Sequence, residues 1–583
     1  GAGQFPTTGR RGQRMGASMG ATREIWPCAD GFVSFGLRGG PSRAHNFDIL
    51  LAQMGRDRIN TASWEGRDWL RFNAAALTAE ELADIERPLS EFFALHSMTD
   101  LYDLAVATNL MLAPANGAAE IIAGTQLAAR NFFTALDGSA ALPARFAIRR
   151  GATGGDDGNE APGPAPVLGA GPVPHWPAIP TSTPSRQRPW ADLKLLEFGS
   201  GAAGPIASRY FVEQGATVVK VESTKHPDFL RVMSRTEEHG LESSSLFNAL
   251  NPGKHSVTLN LRNEQGIRLA RELLHWADAV IENFAPRAMR KYGLDYTSMI
   301  TEKPDLVMLS TCLNGQTGPH RDYPGFGGQG AALCGFNYLT GWPDREPIGP
   351  FGTITDSLSP RFAAAALAAS LLHHRRTGEG AYIDLAQVET GAYSLAPWLL
   401  EYGINGCDST RRGNRHGATA PHGVFPCAGE DRWIAIACWS DEDWLQLALL
   451  AGMDSDAYPS LEARLDDSEA IEEHLAQYTR NQDALKLART LQDLGVEAVP
   501  VADFGDLYED TEQLAAREHF VALERPRTGQ FHYERNGYRL ENDSGGYATP
   551  TPLLGEHTEQ VLMRQLGYSA DQVAVFRDNG ALD

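Results

Sequence analysis

Leu193-Lys194-Leu195-Leu196-Glu197-Phe198-Gly199-Ser200-Gly201-Ala202-Ala203-Gly204-Pro205 is the stretch that decides the fold. A short apolar run predicts a strand, and the glycine cluster that ends it predicts a tight turn. Residues 207–214 then read as a helix, and Thr217-Val218-Val219-Lys220-Val221-Glu222 as a second strand. Strand, helix and strand so closely spaced form a βαβ unit, with parallel strands and a right-handed crossover. Further strands are expected at 256–261, 279–282, 306–310 and 381–385, with a helix over 264–277. Such alternation predicts an α/β body on a parallel, doubly wound sheet.

Working outward, residues 191–415 form this Rossmann-like large domain, residues 416–525 an inserted small α/β domain, and residues 526–583 a return to the large domain. Residues 21–145 read as an extra small α/β unit, with a strand at 32–37 and helices at 77–95 and 98–112. Thr78 ahead of Glu80-Glu81 is a helix N-cap. Residues 146–190 are rich in glycine and proline and read as a linker. Residues 1–20 are polar, with Arg10, Arg11 and Arg14 but no apolar run, and read as a flexible tail without a secretory signal.

An internal repeat joins the two small units. Trp26-Pro27-Cys28-Ala29 matches Phe425-Pro426-Cys427-Ala428, and Gln126-Leu127-Ala128-Ala129-Arg130 recurs as Gln513-Leu514-Ala515-Ala516-Arg517. Pro166-Val167-Leu168-Gly169 recurs as Pro552-Leu553-Leu554-Gly555. The offsets are 399, 387 and 386 residues, close to the 393 residues of 191–583. The chain thus reads as one complete copy preceded by the back half of another, either as part of a longer two-copy protein or as a copy that lost its first half.

A net charge of −22 over 583 residues argues against nucleic acid or an anionic membrane as partner, since both require a basic surface. No apolar run reaches the ~18 residues of a membrane span. The six cysteines form no CxxC pair and no cluster with histidine, so no metal is expected, and free thiols suit a reducing, cytoplasmic setting.

Several segments carry chemistry at predicted strand ends, where ligands of open α/β sheets bind. The Gly199–Gly204 turn precedes a helix and could offer amides to an anion, although its spacing is not that of a dinucleotide site and a plain packing turn explains it equally well. Asn251-Pro252-Gly253-Lys254 and Glu282-Asn283-Phe284 place amides, cations and an aromatic ring at strand ends, with Arg290 and Lys291 one turn later. Gly315-Gln316-Thr317-Gly318-Pro319 and Gly325-Phe326-Gly327-Gly328-Gln329-Gly330 suggest close backbone approach to a ligand. In Pro350-Phe351-Gly352-Thr353-Ile354-Thr355-Asp356 a lone carboxylate precedes an alanine-rich helix over 361–373. Asp356 is therefore a candidate nucleophile, with an N-cap of that helix as the plain alternative.

Taken in order, these motifs resemble the family III CoA-transferases (CaiB/BaiF-like; the formyl-CoA, carnitine and bile-acid CoA-transferases). The matching residues are Ala203-Gly204-Pro205, Val219 to Glu222, Asn251 to Lys254, Glu282-Asn283-Phe284, Gly315 to Pro319, Asp356 and Arg376-Thr377-Gly378-Glu379-Gly380. The resemblance implies interlaced chains, giving a homodimer or, with the extra unit, a pseudo-dimer. It implies that acyl-CoA and a carboxylic acid are the substrates and that Asp356 carries CoA as an aspartyl thioester, a covalent route. It further implies that Ala203, Gly204, Asn251, Lys254, Asn283, Phe284, Lys291 and Gln329 contact CoA, with amides near 325–329 stabilising the oxyanion. Where this chain has Lys291 the family more often has arginine, so a bidentate phosphate fork is lost.

Three alternatives remain. An α-methylacyl-CoA racemase is disfavoured because such enzymes carry Gly-His-Asp where this chain has Gly325-Phe326-Gly327. A two-copy lyase that cleaves dimethylsulfoniopropionate would suit the repeat. A scaffold role would leave intact Asp356 and Lys254 unexplained, and His320 reads as a loop residue. Residues 335–350, with Phe336, Tyr338, Leu339 and Trp342, are expected to line an acyl pocket for a bulky or aromatic acid.

Overall fold

In the computed structural model, Lys194–Phe198 is an inner strand of the sheet that organises the molecule. The structure describes residues 5–9, 11–12, 18–19, 21–40, 43–136, 140–151, 188–233, 235–350, 353–509, 512–541 and 543–583. Most of the expected linker, the Pro166–Gly169 repeat, much of the expected tail and the Phe351-Gly352 pair lie outside these residues.

Among the described residues the large sheet has seven strands: β1 (Ile148–Gly151), β2 (Lys194–Phe198), β3 (Thr217–Glu222), β4 (His255–Thr258), β5 (Ala279–Glu282), β6 (Val307–Cys312) and β7 (Ala381–Ala386). Their order is β4-β3-β2-β5-β6-β7-β1, parallel throughout except for β1. Chain order therefore reverses direction across the sheet between β2 and β5, where Phe198 registers with Glu282. Such a switch point leaves a crevice beyond the strand ends. The short strand β1 was not anticipated. Ile148–Gly151 is expected to be linker, yet it pairs antiparallel with β7, because the edge of β7 offers unpaired amides and carbonyls to an extended segment.

Both faces of the sheet are covered, as near-continuous apolar parallel strands require. On one face, Ala207 and Phe211 of α1 (Ala203–Glu213) and Leu367 and Leu371 of the long helix Ile354–Thr377 pack on Leu195, Ile281 and Ile383. On the other, the helix Glu264–Trp276 packs with Val561 and Phe576 of the C-terminal helices. No helix among the described residues is long and apolar enough to cross a membrane.

The N-terminal unit and residues 416–525 share a connectivity. Ile25–Pro27 and Phe32–Ser34 form a hairpin to which Ala113–Pro114 is added after intervening helices. His422–Pro426, Trp433–Ala437 and Glu497–Pro500 do the same. Thr78 caps Ala79–Leu95 in a capping box with Glu81. Met98–Thr108 stops short of the expected residue 112 because Asn109 adopts the left-handed conformation that ends helices.

The two units differ in what they touch. Trp26, Phe35, Phe93 and Leu127 of the N-terminal unit share one core with Leu313, Leu333, Val388 and Trp398 of the large domain. Phe425, Ile434 and Trp444 pack in a core of their own unit.

Candidate active site

At the switch point the Gly199–Gly204 turn is strapped into place. Asn283 accepts from Ser200 N at 2.9 Å and donates to Ser200 O at 2.8 Å, while Gly201 N donates to Asp228 Oδ1 at 2.9 Å. A Cβ on Gly201, whose φ is +80°, would lie 2.3 Å from the Phe229 ring, so this position requires glycine. Two amides expected to receive an anion are thus already engaged within the protein.

Beneath the turn lies a buried charge cluster. Lys254 Nζ donates to Glu197 Oε2 (2.8 Å), Pro205 O (2.8 Å) and Asn251 Oδ1 (2.9 Å), and Lys220 Nζ to Glu197 Oε1 (2.9 Å). Burial would raise the Glu197 carboxyl, but the two ammonium groups outweigh it and hold the group at about 2. Burial, reinforced by Lys220, pushes Lys254 down to about 8 despite Glu197. An ammonium has three donors, and those of Lys254 are occupied. Asn251 and Lys254, expected as CoA contacts, are fully buried beneath the turn. Ala203 and Gly204 open α1 beneath it, and a Cβ on Gly204 would meet Asn283 Oδ1 at 3.0 Å.

Phe284 is half-buried beyond the end of β5, and Arg287, Arg290 and Lys291 are exposed on the following helix Pro286–Lys291. They are the cations at this strand end with room for an outside ligand. Glu282, at the end of β5, is 3% exposed and accepts from Phe284 N. Burial pushes its carboxyl up to about 7 against the hydrogen bonds it receives.

Asp356 sits where two helices begin, α2 (Gly327–Leu333) and α3 (Ile354–Thr377). It is not the N-cap of α3. That place belongs to Thr353, and Asp356 is the third helical residue, because the helix starts seven residues before the alanine-rich run. Its half-buried carboxylate accepts from Gln387 Nε2 at 3.1 Å and is also bonded by Thr353 and the Gly327 amide. Burial raises its pKa, and these three donors oppose the rise. A Cβ on Gly327 would lie 2.6 Å from Asp356 Oδ2, so glycine here lets the backbone reach the carboxylate. Gln329 is buried on α2. Its Oε1 accepts from Phe326 N at 3.1 Å, and its Nε2 has no hydrogen-bond partner. The donors at two helix N-termini offset only part of what burial costs the anion.

The N-terminal unit completes this region, which the sequence reading did not foresee. Gln126 Nε2 donates to Asn314 O (2.8 Å) and Thr317 O (2.9 Å), and Gln126 Oε1 accepts from His320 N (2.7 Å). Arg130 reaches Asp384 (2.7 Å), Thr317 Oγ1 (2.8 Å) and Glu389 (2.5 and 3.0 Å). These are the first and last letters of the repeated QLAAR. In the second occurrence Gln513 and Arg517 are exposed, so the repetition held the signal but not the contact. Phe336, Tyr338 and Leu339 pack against the core shared with the N-terminal unit, and Trp342 is exposed, so this stretch serves the junction between the bodies more than an acyl pocket.

Among the described residues, no group of three or more His, Cys, Asp or Glu side chains could hold a metal ion. A cavity of about 600 Å³ lined by Thr224, Thr258, Arg564 and Arg577 holds none of the site residues above.

The family model described as CoA-transferase family III matches residues 190–558. The chain is 30% identical over 390 residues to the succinate–glutarate CoA-transferase of Agrobacterium fabrum, covering 66% of this chain and 97% of that one. It is 29% identical over 395 residues to the succinyl-CoA–D-citramalate CoA-transferase of Chloroflexus aurantiacus, covering 67% and 97%. A CAIB/BAIF family protein from Brucella suis superposes with a TM-score of 0.60 at 29% identity, over 65% of this chain and all of the other.

Proposed function

The chain belongs to CoA-transferase family III, and we propose that it moves CoA from an acyl-CoA to a free carboxylic acid through a thioester on Asp356. The observation that carries this reading is the Asp356 carboxylate, half-buried and held by Gln387, Thr353 and the Gly327 amide. An Asp356 oxygen attacks the thioester carbonyl, and CoA leaves as a thiolate, giving a mixed anhydride. The thiolate attacks the aspartyl carbonyl, which frees the donor acid and leaves aspartyl-CoA. The acceptor carboxylate then attacks that thioester, and the returning thiolate takes the acceptor acyl group and restores Asp356. One thioester replaces another, so no outside energy source is needed.

Amides opening α2 and the orphan Gln329 Nε2 supply donors for the oxyanion, a contact type worth about 3 kcal/mol. Arg287, Arg290 and Lys291 suit the phosphates of CoA. The names of the relatives favour dicarboxylic acids as substrates, in place of the bulky acid expected from the aromatic stretch. Phe326, beside the site, is no proton carrier, which weighs against racemisation.

The shared connectivity of the two small units supports reading residues 21–145 as a partial second copy. Seated over the large domain, it would take the place of a partner's small domain in an interlaced pair and make the chain a pseudo-dimer. Incubation with succinyl-CoA should add one CoA to Asp356, labile to hydroxylamine, and glutarate should then be converted to glutaryl-CoA. An unmodified protein, or an Asp356→Ala variant with unchanged turnover, would overturn this reading.

A further inference from the structure

Residues 21–145 lie outside the family match, yet they bring a cation against Phe326, on the segment that opens α2. The Arg43 guanidinium carbon stands 5.0 Å from the centre of the Phe326 ring, and Phe326 is the residue that precedes Gly327, whose α-carbon faces Asp356. Around it, Arg38 is paired with Glu24, and Glu24 rests on the same glycine turn. A Cβ on Gly328 would come within 3.3 Å of Glu24 Oε1. Among the described residues Arg43 Nη1 has no hydrogen-bond partner although the atom is buried, and Gln329 Nε2, in the same turn, is also buried and unpartnered. Buried donors normally have acceptors, so two orphans beside one turn point to an absent oxygen-rich ligand.

We propose that Arg43 binds a second carboxylate on the acid substrate and so selects dicarboxylic over monocarboxylic acids. The proposal rests on the transferase reading above. When a thioester carbonyl is at Asp356, the pantetheine arm holds the phosphates of CoA away from it, so a cation on the ring next to Gly327 suits the acyl group better than the phosphates. A guanidinium matches a carboxylate in a two-point contact. The Phe326 ring face attracts the guanidinium. Burial and the neighbouring Arg38 lower Arg43 to about 10, which leaves it charged at neutral pH.

The test compares glutarate and butyrate as acceptors with one donor. In the Arg43→Gln variant the preference for glutarate in kcat/KM should fall roughly tenfold or more, with the butyrate value unchanged. Arg43→Lys, which keeps the charge without the fork, should retain part of the preference. An unchanged preference, or an equal fall for both acids, overturns the proposal while leaving CoA transfer intact. Calorimetry reads Arg43 without turnover. The wild type should bind glutarate more tightly than butyrate and Arg43→Gln should bind them alike, whereas equal binding by the wild type overturns the proposal. A wild type that transfers CoA to neither acid, yet shows that binding difference, would refute the transferase reading and spare Arg43.

Discussion

Arg130, carried by the N-terminal unit, meets Glu389 of the large domain through two hydrogen bonds, at 2.5 and 3.0 Å. Both side chains are almost wholly buried. Glu389 lies in the first turn of the helix Gln387–Ser394, whose first residue holds Asp356. The N-terminal unit is thus tied to Asp356 through one helix. Arg130 also satisfies Asp384.

Arg130→Met should therefore do more than loosen a surface. Removing one partner of a buried ion pair leaves uncompensated charge and costs about 3–5 kcal/mol. Here Glu389 and Asp384 would both be stranded. Denaturant unfolding should show a loss of that order, and CoA transfer should fall with it. A midpoint within the error of the wild type would show that the two bodies are not coupled through this pair.

Gln387→Leu should move the acid limb of the pH–rate profile upward. In the proposed route Asp356 attacks as the anion, and its pKa is raised by burial and held back by donors that include Gln387. Removing that donor raises the pKa further, so activity should fade at a higher pH on acidification. Steady-state rates across pH 4–8, on the order of the carboxylate range, would reveal the shift. A limb at the same or lower pH would contradict the assignment.

Gly327→Ala tests the close approach. The new methyl would stand 2.6 Å from Asp356 Oδ2 and 2.7 Å from the Thr353 Cβ, so the carboxylate must move. A displacement of about 1 Å at a reacting group can cost roughly 100-fold in rate. The expected outcome is that loss in kcat with a folded protein by circular dichroism.

Glu282→Gln should stabilise the protein at alkaline pH and not in acid. Burial raises the folded-state carboxyl from 4.5 to about 7. The favourable contribution of the proton it holds is complete below pH 4.5 and is lost as pH rises through 7. The variant's advantage should therefore grow from near zero at low pH to about 3 kcal/mol above the folded pKa, by the linkage of ~1.4 kcal/mol per pKa step. Unfolding titrations at the two pH extremes would read it, and a constant difference would refute the raised pKa.

Much of the large domain is legible from local pattern. The runs at 194–198, 217–222 and 279–282 are apolar because parallel strands are covered on both faces, and glycine marks the turn because Phe229 crowds Gly201. Asp356 is legible only as one member of an ordered set of motifs. Two segments meet partners that local pattern does not reveal: Lys254, read as a ligand cation, bonds Glu197, and residues 148–151, read as linker, pair with β7.

By itself the sequence determined the parallel sheet and the two small units and singled out Asp356 as a candidate nucleophile, since apolar period, turn glycines and repeated letters are local properties of a chain. Only the tertiary structure decided that Gln126 and Arg130 bond the large domain and that Arg43 lies against Phe326. Their partners lie about 190 to 280 residues away, and whether an arginine faces solvent, as Arg517 does, or a buried pair of carboxylates depends on which surface its helix is pressed against.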